Sequence, residues 1–427
     1  MPALNAVKVM AADRSGESSA DQRQRPEPAE SAPGPDQTHA RRALEHVYHL
    51  SVTIGPRGST TPAEAEAATY AKVVLERLGL APQVERFLSA TSQWRPFALA
   101  ATLALLAVAV YPLAGRITAI LATLLTAVTL VSAYLELNFT ANPIRWLLPK
   151  RPSQNVWAAI PPAGTPTQRV VLVGHLDSHR TPWVFGSPAR LKVFRVMATA
   201  SFASIAALVL LYLVGSITGG DVIYWISLAP AAVLILALLM TFQPDTSPYT
   251  AGANDNATGA ALVLALAEQL QQMPLANTEV WVVCSGCEEV GCYGAAAFVR
   301  EHPQELRDAR FITLDSVGGL GSGPCYITRE GMTRAYRSNP ALLALADQIA
   351  AQRPELGAYA KVMSLGFTEG AIGIKNGLPS LTFVNLRPDG VLPYWHRPDD
   401  VFEHVDADVL ARTQAFLWEL LQRIDTR

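Results

Sequence analysis

The segment "CSGCEEVGC" (284–292) carries two kinds of chemistry side by side. Cys284 and Cys287 have the Cys-x-x-Cys spacing of a metal knuckle or a redox pair, whereas Glu288-Glu289 is a double carboxylate of the kind that serves hydrolytic metal sites. A knuckle needs two more ligands of similar kind, and the chain offers only Cys292 and Cys325, with no second Cys-x-x-Cys. The carboxylates find more company. His175 and Asp177 follow "RVVLVG", Asp255 lies in "GANDNATG", Asp315 ends "ARFITLD", and His396 follows "LPSLTFVNL". Two His, three Asp and two Glu form an N/O donor set that suits zinc. One ion would not need so many carboxylates. Two ions about 3.5–4 Å apart would, with one carboxylate bridging them and one left unligated as a base. Asp177 lies two residues beyond His175 and can accept the second N–H of that imidazole.

The remaining histidines provide a contrast. His39, His46 and His49 fall in an N-terminal helical region, His302 follows a helix and His404 sits in a charged loop, so all five read as surface residues. His179 is near the site but off the His-x-Asp spacing and reads as a substrate or supporting contact. The cysteines read as small apolar residues packed behind the acids, in reduced form, because three of the four crowd into nine residues.

Elements able to position these groups alternate along the chain. "TPAEAEAATYAKVVLERLGL" predicts a helix with Thr61 as N-cap and Pro62 at its first position. "QNVWAAI", "RVVLVGHLD", "TEVWVVC", "ARFITLD" and "LPSLTFVNL" read as strands. "ATGAALVLALAEQLQQ", "YGAAAFVREH" and "NPALLALADQIAAQ" read as helices, and a last helix starts near Asp406. This alternation predicts an α/β/α sandwich on a mixed, mostly parallel sheet, with the ligand site beyond the carboxyl ends of the strands.

Four apolar stretches interrupt that pattern. About 20 uncharged residues follow Arg95 and about 19 more run from Ile117 to Leu135; a second pair covers about 25 residues from Val196 and about 23 from Val222. Their lengths predict four transmembrane helices in two hairpins. Arg95, Arg145, Lys150, Arg151, Arg190, Lys192 and Arg195 flank the shared side, against Arg116 and Asp221 in the turns. The positive-inside rule therefore puts the polar mass in the cytoplasm of a multi-pass cell-membrane protein, and the N-terminus shows no signal-peptide h-region. The expected organisation is a disordered tail over 1–38, segments of the α/β domain over 39–95, 139–192 and 245–427, and transmembrane hairpins over 96–138 and 193–244.

With 34 basic and 36 acidic residues the chain has no electrostatic footprint for nucleic acid. Half its residues are hydrophobic and 16% charged, in keeping with membrane segments. The sequence sets no oligomeric state.

Read in order, the chain resembles the co-catalytic di-zinc aminopeptidases of clan MH, whose relatives include glutaminyl cyclase, glutamate carboxypeptidase II and transferrin receptor. The motifs carrying the resemblance are "VGHLDS", "GANDNATGAALVLALA", "CSGCEEVGCYGAAAFV", "FITLDSVGG", "FTEGAIGIKNGLPSLTF" and "YWHRPDDVFEHVD". It implies a phosphorylase/hydrolase-like fold and two Zn2+, one on His175 and Asp315, the other on Glu289 and His396, with Asp255 bridging. It also implies Glu288 as general base, Asp177 as support to His175, and hydrolysis of a peptide or small amide. Two readings compete: a catalytically inactive receptor or scaffold, and a related zinc amidase or carboxypeptidase. A third, glutaminyl cyclase activity, implies a single zinc. Thr368-Glu369 replaces the family's Ser-Asp near the specificity pocket, and Trp395-His396 leaves the oxyanion-assisting tyrosine of some relatives unassigned.

Overall fold

The computed structural model describes residues 35–364 and 366–427; most of the tail expected over 1–38 lies outside them. Residues 35–38, assigned to that tail by composition, open the first helix instead. In chain order the elements are α1 (Pro35–Tyr48), α2 (Pro62–Arg77), β1 (Gln83–Ala90), α3 (Arg95–Val110), α4 (Arg116–Leu137), α5 (Pro143–Leu147), β2 (Lys150–Ile160) and β3 (Gln168–His175). Then come α6 (Pro188–Thr218), α7 (Val222–Thr246), α8 (Thr258–Gln272), β4 (Thr278–Ser285), α9 (Tyr293–Glu301), β5 (Arg310–Asp315), β6 (Cys325–Glu330) and β7 (Tyr336–Arg337). The chain closes with α10 (Pro340–Gln352), β8 (Tyr359–Val362), α11 (Glu369–Lys375), β9 (Ser380–Val384) and α12 (Ala407–Asp425).

Local chemistry sets several boundaries. The Thr61 side chain accepts the Glu64 N–H at the start of α2, and that of Asp406 accepts the N–H groups of Asp408 and Val409 at the start of α12. The strands join one mixed sheet in the order β1-β2-β4-β3-β5-β9-β6-β7, with β8 beside β6. Its centre, β4-β3-β5-β9, is parallel throughout, while β1, β2, β6 and β7 add antiparallel pairings at the flanks. The expectation of a mostly parallel sheet therefore holds for the centre and for the flanking β6–β8 pair, the other pairings being antiparallel.

Side chains alternate across the central strands, as a period of two requires. Val170, Leu172, Val280 and Val282 join a core with α1, α2, α8, α10 and α12 on one face. Val171, Val173, Trp281 and Val283 pack with α9 and Ile372 of α11 on the other. Gly174 and Gly259 let β3 approach α8 closely, since a Cβ on Gly174 would lie 2.7 Å from the Gly259 carbonyl carbon.

The apolar helices form a separate cluster in which alanines allow close packing: Ala104 and Ala107 of α3, Ala119 and Ala122 of α4, and Ala231 of α7 surround Leu208 and Tyr212 of α6. Tyr111 stacks on Tyr212 at 4.7 Å. Among the described residues three helices, α4, α6 and α7, are long and apolar enough to cross a membrane; α3 has 16 residues. The expected run of about 20 falls short because Pro112 and Gly115 turn the chain after Tyr111. Large apolar side chains stay exposed around the bundle, among them Leu124 and Val131 of α4, Leu210 of α6, and Leu239 and Phe242 of α7.

Candidate metal centre

Parallel pairing brings the carboxyl ends of β4, β3, β5 and β9 to one edge. His175 is the last residue of β3 and pairs with Ser285, so Glu288 and Glu289 leave β4 beside it. Asp315 ends β5 next to Val384, the last residue of β9, and His396 follows in the loop beyond. Asp255 lies in the turn that opens α8. All five metal-binding residues expected from sequence, together with Asp177 and Glu288, meet there and are buried.

Asp255 is central. Its Oδ1 lies 3.5 Å from His175 Nε2 and its Oδ2 3.3 Å from His396 Nε2. His175 Nε2 is also 3.9 Å from Glu288 Oε2 and 4.0 Å from Asp315 Oδ1, and His396 Nε2 is 3.3 Å from Glu289 Oε2. Donor atoms of His175, Asp255 and Asp315 lie within 4.8 Å of one another. The same holds for His175, Glu288 and Glu289, and for His179, Glu289 and His396.

The tautomer of His175 tests whether this set fits a cation. Its Nδ1 faces the Asp177 backbone carbonyl at 3.1 Å, and a carbonyl only accepts, so Nδ1 carries the proton. Nε2 then points an unpartnered lone pair at the carboxylates, and Glu289 Oε1 is also buried without a partner. Five buried carboxylates face two imidazoles. Such an excess of negative charge needs cations, and the donor set fits zinc.

Electrostatic shifts follow this crowding. Burial pushes Glu288 and Glu289 well above the usual carboxylate range; Glu289 and Asp315 add to the rise at Glu288, and Asp255 adds to it at Glu289. Burial and Asp255 raise Asp315 to about 6. Burial opposes ionisation of Asp255 too, yet the adjacent His175 and His396 imidazoles hold it well below its ordinary range.

Asp177 does a different task from the one expected. Its carboxylate lies 3.5 Å from His175 Nδ1, farther than its own carbonyl oxygen. That carboxylate accepts the Ser59 hydroxyl (2.6 Å) and the backbone N–H groups of Glu288 (3.0 Å) and Glu289 (3.2 Å), fixing the strand end that carries both glutamates. Cys287, Ser316 and His396 adopt positive φ at or beside site residues, so the surrounding contacts hold a strained backbone.

Other supports carry no sequence signal of their own. Asp400 accepts N–H groups of the turn bearing Asp255. Arg57, fully buried, donates to the carbonyls of Leu50, Gly55, Leu176, Ala251 and Gly252, tying the His175 and Asp255 segments together. Glu64 accepts from the Cys287 N–H and thiol, and burial raises it to about 8.

Several expectations are corrected. Cys287 and Cys292 are more than apolar packing: their thiols donate to Glu64 and to Glu288 Oε1, at 3.2 Å each. His39 and His46 are buried rather than at the surface, His302 is half-buried with Nε2 2.6 Å from Glu85, and His404 stacks on Tyr394. His179, by contrast, takes the supporting kind of position expected of it, stacking on His396 at 3.5 Å with its Nδ1 at the Arg180 carbonyl. Glu369 is buried beneath β4, accepting the Ser285 hydroxyl at 2.5 Å.

Residues 238–421 match the model described as Peptidase family M28. Aminopeptidase YwaD of Bacillus subtilis (strain 168) is 26% identical over 180 residues, which cover 40% of this chain and 37% of the relative's length. In three dimensions the chain is similar to a zinc aminopeptidase from Bacillus subtilis, BSAP (TM-score 0.54, 15% identity, covering 90% of this chain and 95% of that one). It is also similar to Porphyromonas gingivalis glutaminyl cyclase (TM-score 0.55, 17% identity, 90% and 98%). At these identities the structural likenesses establish the fold.

Proposed function

We propose, from the premise that residues 238–421 are of the Peptidase family M28 type, that the protein is a zinc-dependent aminopeptidase-type hydrolase integrated in a membrane. The observation carrying this reading is Asp255, which directs one carboxylate oxygen at each of two imidazoles while the carboxylates of Glu289 and Asp315 flank the pair. His175 and Asp315 would hold one zinc, Glu289 and His396 the other, and Asp255 both. When bound, the ions supply Lewis acidity toward the substrate carbonyl and an acidified water.

The rest is done by this chain's own side chains. Glu288 is the group left for proton transfer. Its carboxylate takes a proton from the attacking water as the hydroxyl adds to the acyl carbon, then delivers it to the amide nitrogen as the C–N bond breaks. Asp177 and Glu64 keep Glu288 in place through the backbone N–H groups of Glu288, Glu289 and Cys287. Phe185 and Trp395, 5.0 Å apart, wall the site beside His396 and keep bulk water out.

Membrane integration rests on α4, α6 and α7 and on the apolar surface they expose, with the shorter α3 completing two hairpins over 96–138 and 193–244. The basic flanks of these helices favour a catalytic domain on the cytoplasmic side. Purified protein with zinc should hydrolyse aminoacyl anilides and lose that activity on chelation, regaining it when zinc is restored. Metal-loaded protein that turns over no amide would overturn the reading in favour of a scaffold.

A further inference from the structure

The metal centre does not open only on the polar side of the sheet. One cavity of about 270 Å³ is lined by Asp255, Glu288, Glu289, Asp315 and His396 at one end, and continues between the four apolar helices. All four helices line it: Ala100 of α3, Ala133 of α4, Ala198 of α6 and Ala237 of α7 leave room beside larger groups such as Phe202, and Glu136 and Arg195 add charge to the lining. Along α6 the lining runs from Leu191 to Ile205, and the stretch from Phe194 to Ile205 alone rises about 16 Å. An extended alkyl chain zigzags, so a C–C bond of about 1.5 Å advances it only about 1.3 Å, and on the order of twelve methylenes span that distance.

We propose that the substrate is an amphiphilic amide, with its scissile group at the metal centre and a long unbranched apolar chain lying between the four helices. This deepens the hydrolase reading and rests on it. A peptide with only polar or short side chains would leave the apolar end of the cavity unfilled. Phe202, Ile205 and Leu234 line the same cavity as the carboxylates and would meet a long apolar chain. The feature also gives a reason for the helices to meet the site: the second hairpin is inserted between His175 and Asp255, so the bundle cannot separate from the centre.

The test uses full-length, zinc-loaded protein in lipid nanodiscs and two homologous series, 2-aminoalkanoyl anilides and alanine N-alkylamides, with chains of two to sixteen carbons. In one series kcat/KM should rise about fourfold per methylene, up to about twelve carbons, and then level off. Ala237→Phe should move the optimum to shorter chains, whereas Leu239→Phe, on the outer face of α7, should leave the profile as in the parent. Affinities of n-alkyl hydroxamic acids, measured by displacement without turnover, should follow the same chain-length profile. Hydrolysis with flat dependence in both series, or a profile unmoved by Ala237→Phe, overturns the inference and leaves the hydrolase reading standing. Chain-dependent hydroxamate binding with no hydrolysis of any amide supports the chain site and removes the hydrolase reading instead.

Discussion

The carboxylate of Asp400 accepts the backbone N–H groups of Asn254 at 2.7 Å and Asp255 at 3.1 Å, so one acid holds the peptide that aims another. Burial raises Asp400 to about 7, with Asp255 adding to the rise, and the nearby Arg57 opposes it. Asp400→Ala should weaken zinc affinity about 10–100-fold while the chain stays folded. Metal-buffered titration, with circular dichroism as the folding control, measures this; unchanged affinity would mean the turn holds itself.

Asp177 is fastened to the glutamates rather than to the imidazole. Asp177→Asn would set amide protons against one or both of the N–H groups of Glu288 and Glu289. Turnover should fall about 10–100-fold at near-normal zinc content. Ser59→Ala, which removes a single donor, should cost less. Steady-state kinetics with metal analysis separates the two effects, and an Asp177→Asn enzyme with full turnover would contradict the role.

All four cysteines are free and buried, and burial is the largest cause raising each thiol, with Cys284 and Cys325 pushed up to about 12. A thiol held protonated and out of reach is a poor nucleophile. Native protein should therefore resist maleimide near pH 7 and take up four equivalents after denaturation, counted by mass spectrometry. Fast native labelling would show that the site opens.

Acid stability should depend on His46. Burial lowers it to about 4 from 6.5, and its Nδ1 lies 2.7 Å from the Tyr70 hydroxyl. Because the folded value is depressed, the unfolded chain binds the proton first on acidification. The contribution is full above about 6.5 and is lost as pH falls toward about 4, on the order of 3 kcal/mol in all. His46→Gln should flatten the melting temperature against pH across that window, as followed by thermal unfolding; an unchanged slope would assign the loss to other groups.

Much of the centre was legible in the sequence because His175, Asp255, Glu288, Glu289, Asp315 and His396 each sit where a strong local pattern ends or a helix begins. What supports them was not. Arg57 reads as a loop charge, and only the fold gathers five carbonyls around it. Asp400 and Glu64 likewise act on backbone groups far away in sequence. The flanking strands β1, β6, β7 and β8 were missed because two are four residues or shorter and β1 mixes charge into its alternation. The length of α3 was overestimated because hydropathy counts Tyr111–Gly115, which the backbone uses as a turn. A cavity shared by helices and acids belongs to no segment, so no pattern announces it.

In the proposed reading two adjacent carboxylates divide the work, Glu289 holding metal and Glu288 moving the proton. Zinc content and turnover measured together on Glu288→Gln separate the two roles. Close to two zinc per chain are expected, as in the parent protein, with turnover reduced about 10²–10⁴-fold. A Glu288→Gln protein that hydrolyses amides at the parent rate, or a parent protein that binds no zinc, would contradict that reading.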